Sequence, residues 1–328
     1  MRVLITGAAG MIGRKLVARL AASPTLDGRP IDGLTLMDTV MPLPPAGFPG
    51  AVIPFAADLA APGVAEAATR DKPDIVFHLA GVVSGEAEAD FEKGYHVNLD
   101  GTRALFEAIR RHGQPYRPRV VFTSSIAVYG APFPDTIADD FLTTPQTCYG
   151  TQKVIAELLL ADYTRRGILD GIGIRLPNIC IRPGAPNKAA SGFFSNILRE
   201  PLAGREAVLP VGEYVRMWHA SPRSAVGFLV HAAAIDLKSL GVRRSLMMPG
   251  VSATVGEQIE ALRRAAGESA ARLIRHVFDP AIDAMFATIP GRFDTRRAAE
   301  LGFLAESSFD AIVRAHTEDE LGGTTQEM

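Results

Sequence analysis

Tyr149 and Lys153 stand four residues apart at the start of a helical pattern, a spacing that puts both side chains on one helix face. Oxidation of an alcohol needs a base that takes the hydroxyl proton while hydride leaves the carbon. A free tyrosine, with a pKa of ~10, is too weakly ionised near neutrality to serve. An ammonium held ~4 Å away in an effective dielectric of ~20 is worth about 4 kcal/mol. That is up to ~3 pKa units toward phenolate. Ser125, just past the apolar run 119–123, can hydrogen-bond a substrate oxygen in both its alcohol and carbonyl forms. Either Ser124 or Ser125 could instead cap a helix; Ser125 is the one assigned to chemistry.

The hydride needs an acceptor, and the N-terminus offers a place for one. Gly7-Ala8-Ala9-Gly10-Met11-Ile12-Gly13 is G-x-x-G-x-x-G between a strand pattern and a helical one. Such a turn lets backbone N–H groups approach a pyrophosphate at a helix N-terminus. Asp38 ends the second strand pattern, where a carboxylate accepts hydrogen bonds from both hydroxyls of an adenosine ribose. It repels a 2′-phosphate, and Thr39 and Val40 supply no arginine, so NAD is expected over NADP; a cap role for Asp38 is the alternative. Asp58, followed by Leu59, either reaches the adenine or holds a turn. Leu79 and Ala80 close the fourth strand pattern beside the same site. Asn98 opens a helical stretch and could be its N-cap.

These residues need a scaffold that gathers them. Strand patterns at 2–6, 34–37, 52–55, 74–79, 119–123 and 171–176 alternate with helical patterns, among them 11–21, 97–112 and 149–166. Alternation of this kind implies a parallel, doubly wound α/β sheet of Rossmann-like type. Ligands of such sheets bind beyond the carboxyl ends of the strands. Gly7, Asp38, Asp58, Ala80-Gly81, Ser125 and Pro177-Asn178 all fall there. The alternation fades after Asn178, where helical patterns at 221–234, 252–267 and 308–321 suggest a smaller substrate-binding lobe. The expected division is a cofactor and catalytic domain over 1–176, a lobe over 177–321 and a flexible tail at 322–328.

Composition narrows the function classes. Lys and Arg number 34 against 36 Asp and Glu, so the net charge is −2, which argues against nucleic-acid and polybasic membrane binding. The chain is 47% hydrophobic, but no apolar run reaches the ~18 residues of a membrane span. Cys148 and Cys180 lie in no zinc-binding spacing, so no metal is expected and a reducing, cytoplasmic setting is. Cys148 reads as a small packing residue.

Taken together, the glycine turn, His78-Leu79-Ala80, Val97-Asn98 through Gly101-Thr102, Ser124-Ser125 through Tyr129-Gly130, Tyr149 with Lys153, and Arg175 through Pro177-Asn178 resemble the extended short-chain dehydrogenase/reductase family, the NAD-dependent epimerases and dehydratases. The resemblance covers residues 1 to about 185. It implies Tyr149 as base, Lys153 as its activator and a ribose ligand, Ser125 as substrate partner, Asn98 as a support for Lys153, and Pro177-Asn178-Ile179 on the nicotinamide side. Segments 82–91, 186–194 and 218–226 resemble members that oxidise C2 of a small sugar acid. That substrate class is implied by the resemblance and not by spacing.

A carboxylate substrate wants cationic or hydroxyl and amide donors. Ser84, Asn178, Arg182, Lys188, Arg216 and His219 are candidates, and His219 could equally be a core histidine. Trp218-His219-Ala220-Ser221-Pro222 replaces the acidic stretch that usually follows the position of Arg216 in the family, which argues against a nucleotide-sugar clamp. Two other readings stand beside the dehydrogenase: an epimerase or dehydratase that cycles hydride through bound NAD, and a non-catalytic NAD sensor. Apolar stripes at 97–112 and 150–166, where family members pair, suggest a homodimer.

Overall fold

The computed structural model describes residues 1–184 and 191–322. Lys188 and the tail from 323 on lie outside the described residues. The chain divides into two compact units that interleave along the sequence. The first comprises Met1–Val128, Thr147–Arg175 and Val226–Leu246; the second comprises Tyr129–Gln146, Leu176–Ala225 and the residues from Met247 on. A linear division after residue 176 therefore matches only one crossing. It misplaces 129–146 and 226–246.

The first unit is built on seven strands: β1 (Arg2–Thr6), β2 (Gly33–Asp38), β3 (Ala51–Ala56), β4 (Ile75–His78), β5 (Arg119–Ser125), β6 (Asp170–Leu176) and β7 (Ser245–Met247). Their order in the sheet is β3-β2-β1-β4-β5-β6-β7. The pairings from β3 across to β5 are parallel, with Thr6 opposite both Met37 and His78. The late strand β7 completes an edge, and this is why the unit reclaims 226–246. Consecutive strand residues point to opposite faces. Leu4 and Ile5, Val76 and Phe77, and Val120 and Val121 are all fully buried, so both faces are covered. Chain order runs one way from β1 to β3 and the other way from β4 onward. The carboxyl ends of β1 and β4 thus flank the switch point at which such sheets bind ligands.

Three helices place the chemistry: α1 (Met11–Ala22), α2 (Gly101–Arg111) and α3 (Cys148–Arg165). Leu105, Phe106 and Ile109 of α2 share one apolar cluster with Leu4, Val76, Val120, Phe122 and Leu160. The expected helix over 97–112 is the end of a longer run. It starts at Phe91, capped by the Asp90 side chain, and passes through a π-turn, His96–Asp100, into α2. Asn98 is therefore not an N-cap. Gly94 hid that earlier start, since glycine weakens a helical pattern; a Cβ there would lie 2.7 Å from Gln152 Nε2. Thr147 caps α3 by accepting the Gly150 N–H at 3.0 Å, which puts Tyr149 in the first turn. Lys153, Glu157, Leu160 and Thr164 are buried at helical spacing on one face of α3.

In the second unit, Arg216–Ala220 pairs antiparallel with Val251–Thr254 and parallel with Asn178–Ile179. The helix Val255–Ala271 runs past its expected stop but breaks there, with Gly267 at φ +78°. Phe309–Glu320 forms as expected. Pro222–Ala234 is also a helix, but most of it belongs to the first unit and not to a substrate lobe.

Candidate active site

Gly7 leaves β1 at φ +76°, and a Cβ there would lie 2.7 Å from the Ala80 nitrogen. At Gly13 it would lie 2.1 Å from the Gly7 carbonyl oxygen. Both positions are closed to side chains, whereas Gly10 has 3.3 Å to its nearest neighbour. Gly10 ends the turn, and α1 begins with no side-chain cap and no acid in its first turn, so its N–H groups face the turn without an internal anion. Met11 and Ile12 form that first turn and are half-buried.

A cavity of about 480 Å³ opens at this point. Gly7, Gly10, Asp38, Asp58, Leu59, Leu79 and Ala80 line it, so seven of the expected cofactor residues share one wall system. Gly81, expected at the same strand end, lines it too, as do Thr39, Val40, Val82, Glu86 and Lys93, which were not among the expected cofactor residues. The Asp38 carboxylate accepts the Ala9 N–H at 2.9 Å and the Thr39 N–H at 2.7 Å, tying the end of β2 to the glycine turn. Asp58 accepts the Ala60 N–H at 2.9 Å, so it does hold a turn, and it pairs with His96 at 2.6 Å. Burial alone would raise its pKa; the bonds from His96 and Ala60 outweigh that and lower it. The bare glycine cradle, the acid at the ribose end and the open helix terminus fit a dinucleotide without a 2′-phosphate.

The residues expected to do the chemistry, Ser125, Tyr149 and Lys153, lie in the same unit. Ser125 is half-buried at the end of β5, and its Oγ accepts the Ala127 N–H at 3.2 Å, which leaves its own proton for another acceptor. Ser124 is buried and donates to Glu157 Oε1 at 2.5 Å. Glu157 is in turn held by Arg175, Nη2 to Oε2 at 2.7 Å. This buried Ser124–Glu157–Arg175 group separates the two serines: Ser124 is spent on structure, whereas half-buried Ser125 is not part of it. No local spacing in the sequence announces it.

Lys153 is 4% exposed. Its ammonium donates to the Thr123 carbonyl at 2.9 Å and lies 5.6 Å from the centre of the half-buried Tyr149 ring. Burial pulls its pKa down to about 8 while Glu157 pulls it up, so at neutral pH it is mainly cationic. Asn98 is buried alongside. It accepts the Val82 N–H at 2.9 Å and donates to Gln152 Oε1 at 2.7 Å. Gly81 makes room for both, since a Cβ there would stand 2.9 Å from Asn98 Oδ1 and 3.6 Å from Lys153 Nζ.

The remaining candidates are spread more widely. Ser84 begins the short helix Ser84–Ala89. In the second unit Pro177 is buried and Ile179 is 7% exposed. Arg182 is oriented by the Ile179 carbonyl at 2.9 Å, Asn178 Oδ1 at 2.8 Å and Ser191 Oγ at 2.9 Å. Arg216 pairs with Glu257 at 3.2 Å. His219 has no exposed surface. It lies 3.2 Å from the Asn178 amide and 3.0 Å from that of Gln258, with its pKa lowered to about 3 by burial and by Arg182. It is a core histidine that orients Asn178, and in this structure it presents no atom to a substrate.

Residues 3–221 match the NAD dependent epimerase/dehydratase family. D-erythronate dehydrogenase of Cupriavidus necator is 46% identical over 324 residues, 97% of this chain and 98% of the relative. The Haemophilus influenzae protein of the same name is 40% identical over 320 residues, 97% and 99% of the two chains. A solved structure described as the nucleoside-diphosphate-sugar epimerase from Agrobacterium tumefaciens is 62% identical with a TM-score of 0.97, covering 99% of this chain and 96% of that one. L-threonine 3-dehydrogenase from Trypanosoma brucei gives a TM-score of 0.83 at 25% identity, covering 97% and 96%. With the glycine cradle, the strand-end acid and the Tyr149–Lys153 pair in place, the chain belongs to the NAD dependent epimerase/dehydratase family.

Proposed function

We propose that this protein oxidises the C2 hydroxyl of D-erythronate, or of a closely similar small sugar acid, to the 2-oxo acid with NAD as acceptor. The observation that carries this reading is the near-full-length likeness to two relatives named D-erythronate dehydrogenase. The arrangement of Ser125, Tyr149 and Lys153 around one strand end supports it. Bound NAD supplies the hydride acceptor. Asp38 would receive the adenosine ribose hydroxyls and the glycine turn the pyrophosphate, while a place on the nicotinamide side for Pro177 and Ile179 is what the family resemblance implies. Ser125 holds the substrate oxygen as it changes from alcohol to carbonyl. Tyr149 takes the hydroxyl proton as C2 loses its hydride, and the Lys153 ammonium stabilises the phenolate that must exist first. Ser84, Asn178, Arg182, Lys188 and Arg216 are the candidate partners of the carboxylate and remaining hydroxyls, with His219 acting through Asn178.

A second reading has its own observation. The Agrobacterium structure at 62% identity is described as an epimerase, which fits a chain that returns hydride to a bound sugar and releases no NADH. The two readings separate in one assay: enzyme, NAD and a panel of four-carbon and five-carbon sugar acids, followed by NADH absorbance, beside UDP-sugars followed by product analysis. The proposal requires stoichiometric NADH with a sugar acid. Interconversion of a UDP-sugar with no NADH from any acid would replace it.

We also propose a homodimer formed through α2 and α3, supported by the exposed Leu158 on α3 beside half-buried Val154 and Ile155. Two free cysteines support a reducing, cytoplasmic setting. Among the described residues, no helix is long and apolar enough to cross a membrane.

A further inference from the structure

We infer that His78 is a positioning residue: it locks a one-way hydrogen-bond chain that ties the wall of the cofactor cavity to the π-turn carrying Asn98. His78 ends β4 and is fully buried, with Nδ1 2.7 Å from Thr6 Oγ1 and Nε2 2.8 Å from Thr102 Oγ1. The direction of each bond follows from counting protons. Thr102 donates its single hydroxyl proton to the Asn98 carbonyl at 2.7 Å, so it can only accept from His78. Nε2 therefore carries the ring proton, and Nδ1 accepts from the Thr6 hydroxyl. The Thr6 oxygen is left to accept the Ala80 N–H, 3.4 Å away. Donation runs from Ala80 through Thr6, His78 and Thr102 to Asn98 without a break or a conflict.

Both ends of the chain are working parts. Ala80 lines the cofactor cavity, as does Val82, whose N–H and C=O both bond the Asn98 side chain. Asn98 also donates to Gln152, the residue before Lys153. The loop from Ala80 to Val82 is thus clamped at one end by Thr6 and at the other by Asn98, with His78 between them. Thr6, His78, Thr102 and Asn98 are at most 2% exposed, and a chain of bonds in such surroundings is costly to leave half-made. Phe122 and Phe106 close on the ring at 5.7 and 6.4 Å. Burial, helped by the Lys153 charge, lowers the ring's pKa to about 3, so the proton pattern stays the same through the neutral range. This role needs NAD in the described cavity but does not depend on which hydroxy acid is oxidised.

The test uses the full chain and two readouts besides turnover. Nitrogen-15 NMR of histidine-labelled protein should show the His78 ring neutral, with the proton on Nε2, from pH 5 to pH 9. A ring that titrates near pH 6.5, or carries its proton on Nδ1, overturns the chain. In parallel, NAD dissociation constants are measured for His78→Phe, His78→Gln and Thr102→Val. His78→Phe and Thr102→Val should weaken NAD binding about 10-fold in the folded fraction and leave KM for the hydroxy acid within 2-fold. His78→Gln, which keeps a donor and an acceptor, should recover NAD affinity to within about 3-fold. If Thr102→Val binds NAD as tightly as the parent, or if Gln is as poor as Phe while both are folded, His78 is a packing residue only.

Discussion

Replacing Lys153 by methionine separates its electrostatic work from its packing. The ammonium is 5.6 Å from the Tyr149 ring centre. At an effective dielectric of ~20 a unit charge at that distance contributes about 3 kcal/mol to the phenolate. Without it, kcat/KM at neutral pH should fall about 100-fold, and the rising acid limb of the pH–rate profile should move up by about two pH units. Activity would then recover on going toward pH 10. Stability should move the other way. Burial takes Lys153 from 10.5 to about 8, so the folded state binds fewer protons than the unfolded state between those values. Its stability penalty is complete below pH 8 and vanishes above 10.5, and is on the order of 3 kcal/mol. Lys153→Met relieves it, less the bond to Thr123. The variant should be at least as stable as the parent at pH 7 by urea unfolding, while nearly inactive there. A folded Lys153→Met enzyme whose activity drops equally at every pH would refute the electrostatic argument.

Further outcomes are expected of the same structure. Ser124→Ala should cost about 1–3 kcal/mol of stability, since it strips a buried bond from Glu157, and leave kcat/KM of the folded protein within a few-fold. Ser125→Ala should do the reverse, lowering kcat about 100-fold or more with stability changed by under about 1 kcal/mol; equal effects from the two serines would contradict their assignment. Gly13→Ala should abolish measurable NAD binding by calorimetry because its Cβ meets the Gly7 carbonyl at 2.1 Å, whereas Gly10→Ala, with 3.3 Å, should retain it. His219 has its pKa lowered to about 3 in the folded state against 6.5, so stability should fall as pH drops from about 6.5 toward 3, with up to ~1.4 kcal/mol per pH unit from this ring. Urea unfolding of His219→Gln at pH 4 to 7 should show a shallower decline; an unchanged slope would mean that the ring is not held neutral.

Much of the first unit was legible because its signals are local. A strand that ends in glycine and re-enters as a helix states its own turn chemistry, and Asp38 announces a strand end. Tyr149 and Lys153 need only a helix between them, and Thr147 supplies its cap. What stayed hidden depends on partners far apart in the chain. Glu157 meets Arg175 and Ser124 only after β5, α3 and β6 assemble, and the three residues of β7 are too few to declare themselves a strand. The early helix start escaped because Gly94 lowers helical propensity while answering a packing demand from Gln152. His219 was ambiguous because burial is a property of the assembled unit, not of the histidine. Gly81 was legible as part of a strand end, whereas Val82, Glu86 and Lys93 reach the cavity from the segment after it, which carries no strand or turn signal pointing there.

The central claim, hydride removal from C2 of a sugar acid, is tested most directly with D-erythronate deuterated at C2. Incubated with this enzyme and NAD, it should deliver its deuterium to the reduced nicotinamide, one equivalent for each 2-oxo acid formed, and Tyr149→Phe should suppress the transfer. Reduced cofactor that carries no deuterium, or turnover of a nucleotide sugar with no net reduced cofactor under the same conditions, would contradict the account.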